Sequence, residues 1–282
     1  MKNPLFCGII SNSIVRRFDM EINKQNVIVT GAASGLGLEL TKQLLAEGAN
    51  VAAVDINEDN LKKLEEDLNT KQLKTYVVDM GDVESIKKFR DDYKKDYNDV
   101  DIIINNAGII QPFVRVQDLD DRVINKTMNV NFFGPLNLIR LFMSDLTKDN
   151  KEQYIVNVSS MGGFFPFPGQ TIYGASKAAL KLFTEGLFAE LENTNVRVMV
   201  VLPGAMATNI TKNSNVEVTT TEENSNFKML SPVVGASEII KGIKKNKFKV
   251  FLGSDSKFLR LLYKINSIWA IRFINKKMSK MN

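Results

Sequence analysis

The sequence predicts one doubly wound α/β domain of Rossmann type, a parallel sheet with helices on both faces. Three observations carry that expectation. Strand-like and helix-like segments alternate from residue 26 to about 252, with no Pro/Gly/Ser-rich linker and no internal repeat. Such alternation calls for crossover helices, which cover both faces of a parallel sheet. The strand candidates are short β-branched runs that read as buried strands. The first of them runs straight into a glycine-rich turn that opens a helix.

Asn26-Val-Ile-Val-Thr30 is that first strand, and Gly31-Ala-Ala-Ser-Gly35-Leu-Gly37 follows it. A helical stretch then runs from about Leu38 to Ala46 and ends before Gly48. Strand, glycine turn and helix together aim backbone N–H groups and a positive helix end at a phosphate. The spacing is G-x-x-x-G-x-G, different from the most familiar dinucleotide fingerprint. The second strand, Val51-Ala-Ala-Val-Asp55, ends in an acid 24 residues after Gly31. An acid there is placed to grip a ribose 2′-hydroxyl and to repel a 2′-phosphate. No Arg or Lys stands in the glycine turn or directly after Asp55, so NAD is expected rather than NADP. Further strands are expected near 74–78, 101–105, 154–158, 196–202 and 247–252. Ligands of such sheets bind at the carboxyl ends of the strands.

The 282-residue chain contains no histidine, so the commonest general base is missing. Tyr173 and Lys177 form a Tyr-x-x-x-Lys pair within TIYGASKAAL, and Ser160 stands thirteen residues before the tyrosine. A phenol titrates near pH 10 in water, about three units too high for a base at neutrality. A neighbouring ammonium favours the phenolate. Residues four apart face the same way on a helix, so Lys177 is expected to lower the Tyr173 pKa.

With these motifs in view, residues 25 to 253 resemble the short-chain dehydrogenase/reductase family. Thr30 to Gly37, including Ser34 and Leu36, matches the glycine motif, and Asp79-Met80 the pair that contacts adenine. Asn105-Asn106-Ala107-Gly108 matches the motif closing the fourth strand. Asn131, within VNFFG, matches the catalytic asparagine, and Ser160, Tyr173 and Lys177 match the other catalytic residues. Pro203-Gly204, with Met206 and Thr208, matches the segment that holds the nicotinamide carboxamide. The resemblance implies that Tyr173 exchanges a proton with an alcohol or ketone while hydride moves to or from the cofactor. It also implies that Lys177 holds the nicotinamide ribose and Asn131 a water linking Lys177 to solvent. Ser160 would hydrogen-bond the substrate oxygen. Adjacent residues of a strand face opposite ways, so Ser159 cannot do the same, and the spacing to Tyr173 selects Ser160.

Cys7 is the one cysteine, which excludes a disulfide framework and, without histidine, makes a zinc site improbable. No apolar run approaches the roughly 20 residues that span a bilayer. Residues 1–24 read as an N-terminal arm, or as the result of a start codon placed before Met20. Its charge follows the apolar patch Leu5 to Ile10, unlike a secretory signal. A reduced, cytoplasmic setting is the expectation. Residues 1–240 carry a net charge of −6 and residues 241–282 a net charge of +11. The tail from 254 to 282 sets Phe258, Leu261, Leu262, Ile265 and Trp269 at helical spacing, beside Lys257, Arg260 and Lys264. A helix over about 256–270 is expected there. It rests on a lipid surface, covers an apolar substrate entrance, or packs on its own subunit or a partner; nucleic acid is not the expected partner.

The loop Met161-Gly-Gly-Phe164-Phe165-Pro-Phe167-Pro-Gly-Gln170 borders the substrate pocket in proteins of this resemblance and is rich in aromatic side chains, and Gln111-Pro112-Phe113 after the fourth strand adds another apolar edge. The expected activity is NAD-dependent oxidation and reduction of a secondary alcohol and its ketone on a steroid-, acyl- or lipid-like molecule. A homodimer or homotetramer is the expected assembly. A catalytically weak NAD sensor and a membrane-associated scaffold are the alternatives.

Overall fold

Gln153-Tyr-Ile-Val-Asn-Val158 is buried at every position, as an inner strand of a sheet covered on both faces must be. The structure, a computed structural model, describes residues 20–148, 151–207, 210, 214 and 229–278. Seven parallel strands form its sheet: β1 (Asn26–Thr30), β2 (Asn50–Asp55), β3 (Leu73–Val77), β4 (Ile102–Asn105), β5 (Gln153–Val158), β6 (Val196–Pro203) and β7 (Lys249–Leu252). Each expected strand is present, with ends shifted by a residue or two. Their order is β3-β2-β1-β4-β5-β6-β7, so the winding reverses between β1 and β4. A crevice opens at the carboxyl ends of the strands at such a reversal.

The helices are α1 (Gly35–Ala46), α2 (Glu58–Leu68), α3 (Val83–Asp96), α4 (Asp121–Met128), α5 (Gly134–Leu146), α6 (Thr171–Glu190), α7 (Pro232–Lys244), α8 (Ser254–Ile265) and α9 (Ser267–Met278). Short polar side chains cap three of them: Asn57, Asp82 and Asp120 accept hydrogen bonds from first-turn amides of α2, α3 and α4. A π-helical turn, Asn129–Phe133, joins α4 to α5 and buries Asn131. Alternation along the strands divides the core in two. Val27, Val29, Val51 and Ala53 pack with Leu40, Leu44, Ile239 and Ile243 on one face. Ile28, Ala52 and Val54 pack with Phe89, Leu138 and Phe142 on the other.

The ends of the chain differ from the sequence reading in two ways. Met20 and Ile22 belong to the core, and the Met20 amide donates to the Lys244 carbonyl at 3.1 Å. The expected 256–270 helix is two helices, α8 and α9. Asn266 lies between them with extended backbone, and its Oδ1 accepts the Trp269 amide at 2.9 Å. The break turns α9 back so that Ala270 and Ile274 join Leu259 of α8 around the fully buried Phe165.

Candidate active site

The glycine turn leaves β1 through Gly31 and Gly35, whose φ angles of +65° and +52° favour residues without a Cβ. A Cβ at Gly37 would collide with the Gly31 carbonyl oxygen and the Asn106 side chain. Thr30 Oγ1 accepts from the Asn106 and Ala107 amides, both at 3.0 Å, and Asn106 Nδ2 donates to the Thr30 carbonyl at 3.0 Å. The ends of β1 and β4 are thereby tied together at the point where the winding reverses. No acidic side chain occupies the first turn of α1, which leaves its positive end suited to a phosphate. Asp55, at the end of β2, accepts from the Ala33 amide at 3.0 Å, so its carboxylate is fixed against the same turn. Asp79 Oδ1 accepts the Gly81 amide at 2.7 Å beyond β3.

The acid–base residues come from β5, α6 and the turn before α5. Gln111 is fully buried and positions the start of α6: its Oε1 accepts from the Ile172 and Tyr173 amides at 2.8 and 2.9 Å. Its Nε2 donates to the Gly169 carbonyl at 2.9 Å. The sequence reading treated Gln111 as part of an apolar edge and missed this role; a polar residue between apolar neighbours after β4 was the available signal. Ser160 leaves β5 in extended conformation, its Oγ accepts the Gly162 amide at 3.0 Å, and its hydroxyl acts to lower the Tyr173 pKa. Ser159 points the other way and donates to the Lys177 carbonyl at 2.7 Å. A Cβ on Gly162 would lie 3.3 Å from the Tyr173 ring, so that glycine lets the tyrosine approach.

Lys177 is buried, and its Nζ donates to the Val158 carbonyl at 3.1 Å. A Cβ on Gly108 would come within 3.0 Å of that Nζ and 3.3 Å of Asn131 Oδ1, which puts lysine and asparagine on the two sides of this glycine. Asn131 Nδ2 donates to the Ile109 carbonyl at 2.9 Å and to Ser176 Oγ at 3.0 Å, while Oδ1 accepts the Ile109 amide at 2.9 Å. Burial drives both acid–base groups toward their neutral forms. The Tyr173 phenol is pushed up, with the Ser160 hydrogen bond opposing, and the Lys177 ammonium is brought down to about 8. Burial thus moves the Tyr173 phenol in the direction opposite to the lowering expected from Lys177.

A cavity of about 530 Å³ runs along these groups. Of the expected residues, Gly31, Ser34, Gly35, Leu36, Asp55, Asp79, Met80, Asn106, Ala107, Gly108, Ser160, Tyr173, Lys177, Pro203, Gly204 and Met206 line it. Thr30, Gly37 and Asn131 lie behind its wall and shape it; Thr208 falls outside the described residues. The basic side chains on the wall are Lys126 and Lys177. Ile109, Ile110, Phe113, Met161, Phe167 and Ile210 make the rest apolar. Phe164 and Phe165 turn away instead, Phe164 onto Phe251 and Phe165 onto Tyr263. The aromatic loop therefore gives the pocket Met161 and Phe167, and gives its other rings to β7 and the C-terminal helices. Asp255, on α8, was not foreseen at all: its Oδ2 accepts the Ala205 amide at 2.6 Å, and Gly204 packs directly on its carboxylate. Among the described residues no cluster of acids could hold a metal ion. No described helix is long and apolar enough to cross a membrane.

Comparisons with known proteins agree with this architecture. The family model described as short chain dehydrogenase matches residues 25–219. A 3-oxoacyl-(acyl-carrier-protein) reductase FabG of Thermotoga maritima is 35% identical over 198 residues, covering 68% of this chain and 78% of that protein. Dehydrogenase/reductase SDR family member 7B of Xenopus laevis is 33% identical over 67% of this chain, and the match spans 60% of its own length. A short-chain dehydrogenase from Burkholderia cenocepacia, solved with NADP, superposes with a TM-score of 0.76 at 26% identity over 90% of this chain and 99% of that one. One from Burkholderia phymatum, solved with NAD, superposes with a TM-score of 0.75 over 82% of this chain and 90% of that one; at 21% identity it bears on the fold alone.

Proposed function

Since the chain belongs to the short-chain dehydrogenase family and is thus an NAD(P)-dependent oxidoreductase, we propose that it uses NAD(H) to interconvert a secondary alcohol and a ketone on a hydrophobic molecule. The carrying observation is that Ser160 Oγ and the Tyr173 ring both close on Gly162, at the wall of a largely apolar cavity that also contains the glycine turn. The residues fit the cofactor: the cradle formed by Gly31, Gly35 and Gly37 would receive the diphosphate and Asp55 the adenosine ribose. The nicotinamide supplies hydride exchange. Ser160 orients the substrate oxygen. Tyr173 gives that oxygen a proton during reduction and, as phenolate, removes one during oxidation. Lys177, beside Gly108 and Asn131, would hold the nicotinamide ribose.

NAD rather than NADP is supported by the Asp55 carboxylate on the wall and by the absence of Arg or Lys in the glycine turn and directly after Asp55. The apolar lining from Ile109 to Phe167 supports a steroid-, acyl- or lipid-like substrate. Exposed Leu182 and Phe188 on α6 support assembly into a homodimer or homotetramer. The test is purified protein with NAD+ and a panel of hydrophobic secondary alcohols, and with NADH and the matching ketones, followed by NADH absorbance. Turnover that disappears in Tyr173→Phe supports the proposal. Cofactor binding without turnover in either direction overturns it.

A further inference from the structure

The helical hairpin α8–α9 has two apolar sides, and the fold uses one of them. Leu259, Ala270 and Ile274 are buried with Phe165, and partly buried Leu262 and Tyr263 pack beside them. Phe258, Leu261 and Ile265 recur at spacings of three and four on α8, about half a turn from Leu259, and remain exposed. Ile265 is 73% and Leu261 57% exposed. On α9, Ile268, Trp269 and Phe273 are also exposed, with the Trp269 and Phe273 rings stacked 5.4 Å apart. Six large apolar side chains thus face outward on adjoining helices, more than scattered surface apolarity accounts for.

The charges that the hairpin itself places around this face are of one sign. Lys257, Arg260, Lys264 and Arg272 are exposed beside or among the apolar residues, and Lys276 and Lys277 are exposed at the end of α9. The hairpin's one acid, Asp255, is turned inward onto the Ala205 amide. We propose that the outer face of α8–α9 is an interfacial docking surface for an anionic lipid bilayer, with Phe258, Leu261, Ile265, Trp269 and Phe273 entering the headgroup boundary. An amphipathic helix of this composition lies in the plane of a membrane rather than crossing it. A second copy of the chain fits less well: a two-fold contact through this face would set the same cations against each other. The inward packing answers the other half of the sequence expectation, since one hairpin serves both its own subunit and an outer surface.

The experiment uses the full chain and its single tryptophan, Trp269, as the reporter. Vesicles of phosphatidylcholine alone and of phosphatidylcholine with phosphatidylserine are titrated into the protein, with Trp269 emission and cosedimentation read together. The expected result is a blue shift and cosedimentation with the anionic vesicles, weakening as salt rises because exposed charges are screened. Each cation near an anionic surface is worth about fivefold in partitioning, so Lys257→Gln/Lys264→Gln/Arg272→Gln should lose on the order of a hundredfold. Phe258→Ser/Leu261→Ser should lose binding while the far-UV spectrum and melting temperature stay near wild type, since both side chains point outward. Unchanged Trp269 emission with anionic vesicles overturns the proposal, as does equal binding by the charge variant. A change in oligomeric state in Phe258→Ser/Leu261→Ser, without lipid, also overturns it and assigns the face to another copy.

Discussion

Asp255 holds Ala205 across fifty residues of sequence: the carboxylate in the first turn of α8 accepts the amide that follows Pro203-Gly204, at 2.6 Å. Ser256, fully buried, adds a second tie by donating to the Leu202 carbonyl at 2.8 Å. The loop leaving β6 at the cavity wall is therefore braced by the C-terminal hairpin. Asp255→Ala is expected to cost about 1–3 kcal/mol of stability, the range for a lost hydrogen bond to a charged group. It should also raise the KM for the dinucleotide several-fold more than it lowers kcat, because the loop is displaced while Tyr173 is not. Melting curves and steady-state kinetics decide between roles; a stability loss with unchanged KM would leave Asp255 purely structural.

Tyr173→Phe keeps the ring against Gly162 and removes the hydroxyl that Ser160 contacts. Turnover should fall by at least the 10²–10⁴ typical of a general acid–base group, with dinucleotide affinity nearly unchanged. Calorimetric binding beside kcat makes the comparison. More than about a tenth of wild-type turnover, well short of that range, would remove Tyr173 from the chemistry.

The wild type should prefer NAD to NADP in kcat/KM, and Asp55→Ser should narrow the preference by removing the repulsion of a 2′-phosphate. The same substitution removes the acceptor of the Ala33 amide, so the turn should loosen and NAD affinity should fall as well. A wild-type enzyme that favours NADP refutes the reading of β2.

Lys177→Met should stabilise the protein without cofactor while abolishing turnover. Burial lowers the Lys177 pKa from 10.5 to about 8, so the folded state disfavours the proton that the unfolded chain keeps. Below about pH 8 both states are charged and the folded state bears the whole penalty, on the order of 3 kcal/mol. As pH rises from about 8 to 10.5 the folded lysine loses its proton first and the penalty fades. Denaturant titrations at pH 7 and pH 10 should thus show a large gain for the variant at the first and a small one at the second. A gain independent of pH would refute desolvation as the cause.

The sheet was legible because its strands are apolar runs bounded by glycine and acid, and local pattern suffices for these. The cavity wall was legible wherever a short motif sets it, as from Gly31 to Gly37 and from Ser160 to Lys177. Contacts between distant segments left no such pattern. Gln111 looks like a loop residue until α6 is placed against it, and Asp255 like a strand-end acid until α8 folds back on β6. The break at Asn266 was signalled by Asn-Ser before an apolar run, a helix-start pattern, but the continuing apolar periodicity masked it. The direction of the Tyr173 shift was also beyond sequence, because burial is a property of the packed site.

The loop after Ser160 has one set of side chains on the cavity and another in the hairpin. Phe165 and Phe167, with ring centroids 5.3 Å apart, join the two. A change in bulk at Tyr263 or Ala270, neither of which lines the cavity, would press on Phe165 and through it on Phe167. Natural variation in α8 and α9 can therefore retune which molecules the enzyme accepts while every residue facing the substrate stays the same.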